Sequence, residues 1–417
     1  MGMLSALYAG PNEVTVYDPA VFAAVDGPGN KCTKPSWYDM LQPTVALNTT
    51  RDRVEHDDRR KAWNRALNPE ALRSYRSRID RYTDLLDDYI ASHVGEPISA
   101  NDIFYWFTFD IMGDLAYGKS FGMLSEHKWH YAIAWMNEFM GLLGPISPVP
   151  WLARFLFHVP GVTPKWHRFM DWCQDRMKDR LTMEPNEPDV STWLIDHVRS
   201  DGIVGKPQFD TLHGDAVTMT IAGSDTSAQT LLFIFYHLAK DSTRQNQLRQ
   251  EIIHSNAQSS DASVLGDCPY LDGFINETLR VHPPVATGAI RQAGPGGIDV
   301  AGINIPEGTI IVAPRYCIAR REDCFEKADQ FIPERWTSAP HMAKRKEAFA
   351  PFALGRYSCV GKGLAFLQMR CLVTQLVTKY SVHFVDNTDP DACWRDLKDN
   401  FTGLPGKLDL IFKPIKV

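Results

Sequence analysis

The sequence lacks any CxxC pair, any repeated cysteine spacing and any apolar run long enough to cross a bilayer. Its eight cysteines, at positions 32, 173, 268, 317, 324, 359, 371 and 393, are scattered over 417 residues. Such scatter excludes zinc-ribbon and disulfide-framework designs and fits reduced, mostly buried thiols of an intracellular compartment. The longest uncharged apolar stretch, Phe139 to Ala153, is interrupted by Pro145, Pro148 and Pro150 and falls short of the ~20 residues of a membrane span. At the start, MGMLSALYAGPNEV has no basic segment ahead of an apolar one, so no signal peptide is read there, and Ala6 stands where a myristoylation signal needs Ser or Thr. Acidic and basic residues are interleaved at a net charge of −6. No basic face suits a phosphate backbone, and nucleic acid is not an expected partner.

What is present is a large apolar fraction, 44%, with 11% aromatic residues, enough to bury a cofactor in a sizeable core. From Arg51 to about Asp241 apolar residues recur at three and four spacing, clearest in Tyr75 to His93, Asn101 to Tyr117 and Phe209 to Leu238. Gly294 to Pro314 changes character: a GPGG turn and the β-branched runs IDVAGINI and TIIVAP predict short strands. Helical pattern returns from Val360 to Lys379, and the tail LPGKLDLIFKPIKV predicts a terminal hairpin or strand pair. No repeat or low-complexity linker divides these parts, so a mainly α domain with a small β portion is expected over residues 1–417.

The segment PFALGRYSCVGKGLAFLQMR sets Cys359 between Gly355 and Gly361, just ahead of a helix. Glycines let backbone approach a flat ligand, and the helix start aims free N–H groups at the sulfur, which favours thiolate. An isolated cysteine at a helix start is usually a small buried hydrophobe. The framing changes that reading. Phe352, Gly355, Cys359 and Gly361 stand in the pattern F-x-x-G-x-x-x-C-x-G, and here the chain resembles the haem-binding loop of the cytochromes P450. One departure is plain: that family usually has Arg or His two residues before the cysteine, on a haem propionate, and this chain has Tyr357 there, with Arg356 beside it.

Three further segments carry the resemblance. Ala222-Gly223-Ser224-Asp225-Thr226-Ser227 is similar to the oxygen-activating groove of the family's long central helix. The resemblance implies that Gly223 leaves room for dioxygen, that Thr226 bonds the Ala222 carbonyl and loosens the helix, and that Asp225 and Thr226 relay protons through water. Glu277 and Arg280, in INETLRVHPP, with Arg335, in FIPERW, match the family's buried Glu–Arg–Arg network that braces the cysteine loop. His56 and Arg60, in RDRVEHDDRRKAWNRAL, and Arg291 match its propionate-binding cations. Nothing before Val14 matches the family's membrane-anchor helix or first strand.

The implied fold is the cytochrome P450 fold, with haem b between the long central helix and the cysteine-loop helix and Cys359 as axial iron ligand. The implied activity is that of a monooxygenase acting on a hydrophobic small molecule, with electrons from NADPH through cytochrome P450 reductase and cytochrome b5 as a further partner. FTFDIMGDLAYGKSFGML resembles filamentous-fungal members, which implies secondary metabolism. Substrate contacts are expected from the loop before His56, the Ala222 helix, Pro283 to Ile290 and residues 139–164. The last segment is rich in Trp, Phe and Pro and is expected at the substrate entrance, against a membrane surface. A full-length form is expected at the cytosolic face of the endoplasmic reticulum membrane, with this chain soluble or peripheral. Two other readings stay open: a haem-thiolate enzyme of oxidative coupling, isomerisation or dehydration, and a haem-binding chain without turnover.

Overall fold

Helices make up most of the molecule, for reasons visible at their ends. In the computed structural model, which describes residues 6–159, 161–199, 204–255, 268–288 and 290–415, the helix Ala100–Tyr117 begins at Ser99, whose hydroxyl accepts the N–H of Asp102. It ends at Gly118, with φ of 68°, the left-handed stop that glycine adopts without penalty. Apolar around most of its circumference, it is buried along nearly its whole length and packs along the central helix Lys206–Lys240, whose 35 residues span about 52 Å. The helix Arg53–Ala66 starts at Asp52, whose carboxylate accepts the N–H groups of Val54 and Glu55, and the cysteine helix runs from Lys362 to Lys379. Residues Met1 to Ser5, Pro160 of the apolar segment and Ala289 of the substrate segment lie outside the described residues.

Strands are short and form four sheets. β1 (Ala6–Gly10) and β2 (Glu13–Val16) are joined by a turn, and β3 is Pro97–Ser99. β4 (Arg291–Gln292), β5 (Ile298–Val300), β6 (Ile303–Ile305) and β7 (Ile310–Val312) come from the predicted strand region, and β8 (Tyr380–Phe384), β9 (Lys398–Asn400), β10 (Thr402–Leu404) and β11 (Asp409–Pro414) complete the set. The sheet order is β1-β2-β7-β4 in one, β3-β11-β8 in another, with β5-β6 and β9-β10 as hairpins.

Two expectations are corrected here. A first strand does exist: β1 pairs antiparallel with β2, Leu7 opposite Thr15, because the turn at Pro11 and Asn12 folds it back beside the buried Val14 and Val16. The tail does not pair with itself. β11 inserts between β3 and β8, since its alternate residues Leu410 and Phe412 are fully buried and need an apolar neighbour on both sides.

The Glu–Arg–Arg network forms as expected and is larger. Both Glu277 oxygens are engaged, by Arg280 at 2.8 and 2.9 Å, Arg335 at 3.0 Å, the Trp336 indole N–H at 2.9 Å and the Ile332 N–H at 2.8 Å. Arg280 spends its other donors on the carbonyls of Ala319, Ala328 and Gln330, so all three ionic groups are buried and fully engaged. The network meets the cysteine segment through Trp336, whose ring lies 4.4 Å from that of Phe349.

Candidate active site

A single backbone bond closes the cysteine loop: the Cys359 N–H donates to the Phe352 carbonyl at 2.7 Å. Gly355 holds φ of 58°, and a Cβ there would stand 2.0 Å from the Asp26 carbonyl oxygen. Gly355 therefore seats the loop against the helix Ala20–Asp26 and does not line the cavity, which corrects its assignment as a cofactor contact. Cys359 itself opens onto a cavity of about 330 Å³. Burial pushes its thiol pKa up, while the N–H of Gly361, Arg60, the N–H of Lys362 and Arg315 pull it down. The helix start alone thus does not offset burial at the sulfur.

Across the cavity stands one face of the central helix, with Ala222, Gly223 and Thr226 on it. The Thr226 hydroxyl donates to the Ala222 carbonyl at 2.8 Å, and the helix continues unbroken through this turn rather than loosening. At Gly223 a Cβ would meet the Met112 side chain at 2.6 Å, so this glycine makes room for a neighbouring helix as well as for the cavity. Asp225 departs from its assigned role in the cavity. It is buried on another face and accepts a 3.0 Å hydrogen bond from Thr402 of β10. Burial pushes its carboxyl up to about 6, opposed by the Thr402 hydroxyl. Phe401, the tip between β9 and β10, lines the cavity and packs on Trp37 at 4.8 Å.

Cations ring the remaining wall. Arg60 donates to the carbonyl of Ser358 at 2.5 Å and to its hydroxyl at 3.3 Å. His56, edge-on to Tyr357 at 4.9 Å, is kept neutral by burial despite its contact with Asp57, so it contributes an N–H rather than a charge. Arg291 is charge-paired with Asp26 at 2.6 Å and bonds the Tyr38 hydroxyl at 3.3 Å. Lys34 and Arg315, which no motif marked, line the same cavity. Among the described residues no carboxylate lies within 4.0 Å of Lys34, Arg60 or Arg315. Buried cations are costly without an anion, and a dianionic, flat, apolar group such as haem fits this donor set: a soft sulfur on one wall, unpaired cations at the edge, apolar helix faces between.

The structure therefore gathers Cys359, Phe352, Tyr357, Gly361, His56, Arg60, Arg291, Ala222, Gly223 and Thr226 around one cavity, and leaves Asp225 and Gly355 off it. The missed pair, Lys34 and Arg315, sits in segments without periodic pattern, where only folding brings them to the site.

The chain matches the family model described as cytochrome P450 across residues 29–408. It is 35% identical over 407 residues to "Cytochrome P450 monooxygenase FCK2" of Fusarium pseudograminearum, an alignment covering 97% of this chain and 74% of that protein. It is 34% identical over 398 residues to "Tryprostatin B 6-hydroxylase" of Aspergillus fumigatus, covering 94% and 70%. With "Cytochrome P450 monooxygenase sthD" of Phaeosphaeria nodorum it shares 34% over 415 residues, covering 98% and 86%. A cysteine facing a threonine-bearing helix across a cation-edged cavity, on a chain matched along nearly its whole length, belongs to the cytochrome P450 family.

Proposed function

We propose that the protein is a monooxygenase that places one atom of O2 into a C–H bond of a hydrophobic fungal secondary metabolite. The other atom leaves as water, with two electrons from NADPH through a reductase and two protons from solvent. The observation that carries this reading is the Cys359 sulfur facing Ala222 and Thr226 across one cavity. The hydroxylase name of one relative supports insertion over coupling or isomerisation.

Cys359 would hold the haem iron, with His56, Arg60 and Arg291 toward the propionates and Phe352, Tyr357 and Gly361 against the ring. Haem so ligated supplies the activation of O2 and cleavage of its O–O bond. Thr226 orders water on the cavity side. Asp225, buried behind this helix face and held by Thr402, acts on that water only through the helix it shares with Thr226. Phe401, Met112 and Val285 exclude bulk water and shape the space for an apolar substrate. Cytochrome P450 reductase and cytochrome b5 are the proposed redox partners, and the endoplasmic reticulum membrane, cytosolic face, is the proposed site of a full-length form.

The test is the absorption spectrum of the reduced, carbon-monoxide-bound protein. A thiolate-type Soret band is expected in the wild type and its loss in Cys359→Ala. Well-folded wild type without haem would overturn the reading.

A further inference from the structure

We infer that Lys34 is a haem-propionate ligand, taking the place of the basic residue that the cysteine loop lacks at Tyr357. The inference rests on the haem reading above and concerns which of this chain's own residues completes the site.

Lys34 is 3% exposed, and its ammonium donates to the carbonyls of Leu47 at 3.2 Å and Thr50 at 2.9 Å. An ammonium has three donors. Two are spent on backbone, which fixes the group in place, and the third is left toward the cavity that Lys34 lines. No carboxylate stands within 4.0 Å of it among the described residues, whereas the neighbouring Arg291 has its charge met by Asp26. Arg291 alone therefore offers a propionate less net charge than its position suggests, and Lys34 supplies the difference.

The side chain at position 357 makes sense on the same ground. The Tyr357 ring lies 4.9 Å from the Lys34 ammonium and 4.8 Å from the Arg291 guanidinium. A cation at 357 would add a third positive charge beside these two, and Asp26 is already paired with Arg291. An aromatic ring instead attracts both cations by its face. The charge has moved from the loop to Lys34, and the ring braces it. Burial, then Arg291, lowers the Lys34 pKa to about 7.

The alternative is that Lys34 only ties the Leu47 and Thr50 carbonyls. Holoprotein prepared with haem b or with haem dimethyl ester, whose propionates carry no charge, separates the two by the rate of haem loss to an excess of scavenger. Lys34→Met is expected to lose haem b roughly tenfold or more faster, the size of a charge-assisted hydrogen bond. Lys34→Arg should largely restore the rate, and wild type and Lys34→Met should lose the ester alike. Adding Tyr357→Arg to Lys34→Met returns a cation to the loop and is expected to slow the loss of haem b again, not of the ester. Equal loss of haem b from wild type and Lys34→Met, or an equal acceleration for haem b and ester, overturns the inference while leaving the haem reading intact. If neither Lys34→Met nor the double variant folds, Lys34 is structural and the inference fails. Wild type that never carries haem b defeats the underlying reading instead.

Discussion

At position 225 a carboxyl is buried against a hydroxyl, that of Thr402, with no cation beside it among the described residues. Holding it at about 6 instead of the usual value near 3.9 costs about 3 kcal/mol at neutral pH. The sign follows from which state binds more protons. Below pH 4 folded and unfolded chains both carry the proton and the penalty is absent; it builds between about pH 4 and 6 and then stays constant. Asp225→Asn, which keeps the acceptor for Thr402, should raise the thermal midpoint at pH 7 and leave it unchanged at pH 4, and an equal rise at both would remove burial of charge as the cause. Thr226→Ala has a different signature. It should keep haem and its spectrum but spend NADPH on hydrogen peroxide, and product formed per NADPH at the wild-type level would count against Thr226. Helix geometry parts these neighbours: residues 222 and 226 share a face, while 225 lies about 100° from 226 and about 60° from 222, on the opposite flank. The sequence put Asp225 and Thr226 in one relay and did not separate them. Thr402 as partner was not legible either, because the contact spans 177 positions and no local pattern encodes it.

Among the elements, the cysteine loop and the helices around it were the most legible, because their cues are local: glycine framing, N-cap residues, three and four spacing. The hairpin of β1 and β2 and the insertion of β11 were not, since short strands take their meaning from the strands beside them. Gly355 shows the same divide within one loop. The sequence marked it as a haem-contact glycine, but its physical demand comes from the Asp26 carbonyl, contributed by a helix more than three hundred residues earlier. Gly355→Ala combines a left-handed backbone with that close approach, and about 2 kcal/mol or more of destabilisation is expected. Haem content per folded protein should fall with it. A variant as stable as wild type, with full haem, would show that the loop seats itself differently.

For the whole molecule, the apolar segment 139–164 falls on the helices Tyr131–Ile146 and Pro150–His158, with Pro145 inside the first. Leu142, Trp151 and Phe155 project outward at 53%, 70% and 61% exposure, and Trp151 and Phe155, four apart, share a helix face. No helix among the described residues is long and apolar enough to cross a membrane; the exposed apolar side chains of this face make it the proposed contact with a lipid surface. Trp151→Ser with Phe155→Ser should weaken binding to phosphatidylcholine–phosphatidylserine vesicles roughly tenfold or more, given ~1.5–3 kcal/mol for each large apolar side chain removed from water. Sedimentation with vesicles measures it, and unchanged binding would move the contact elsewhere. The same architecture joins the cavity wall to the buried carboxyl of the central helix, since the turn that carries Phe401 also carries Thr402, the residue that holds Asp225. A change at either position is then felt in two places, the wall that meets the guest and the helix behind it.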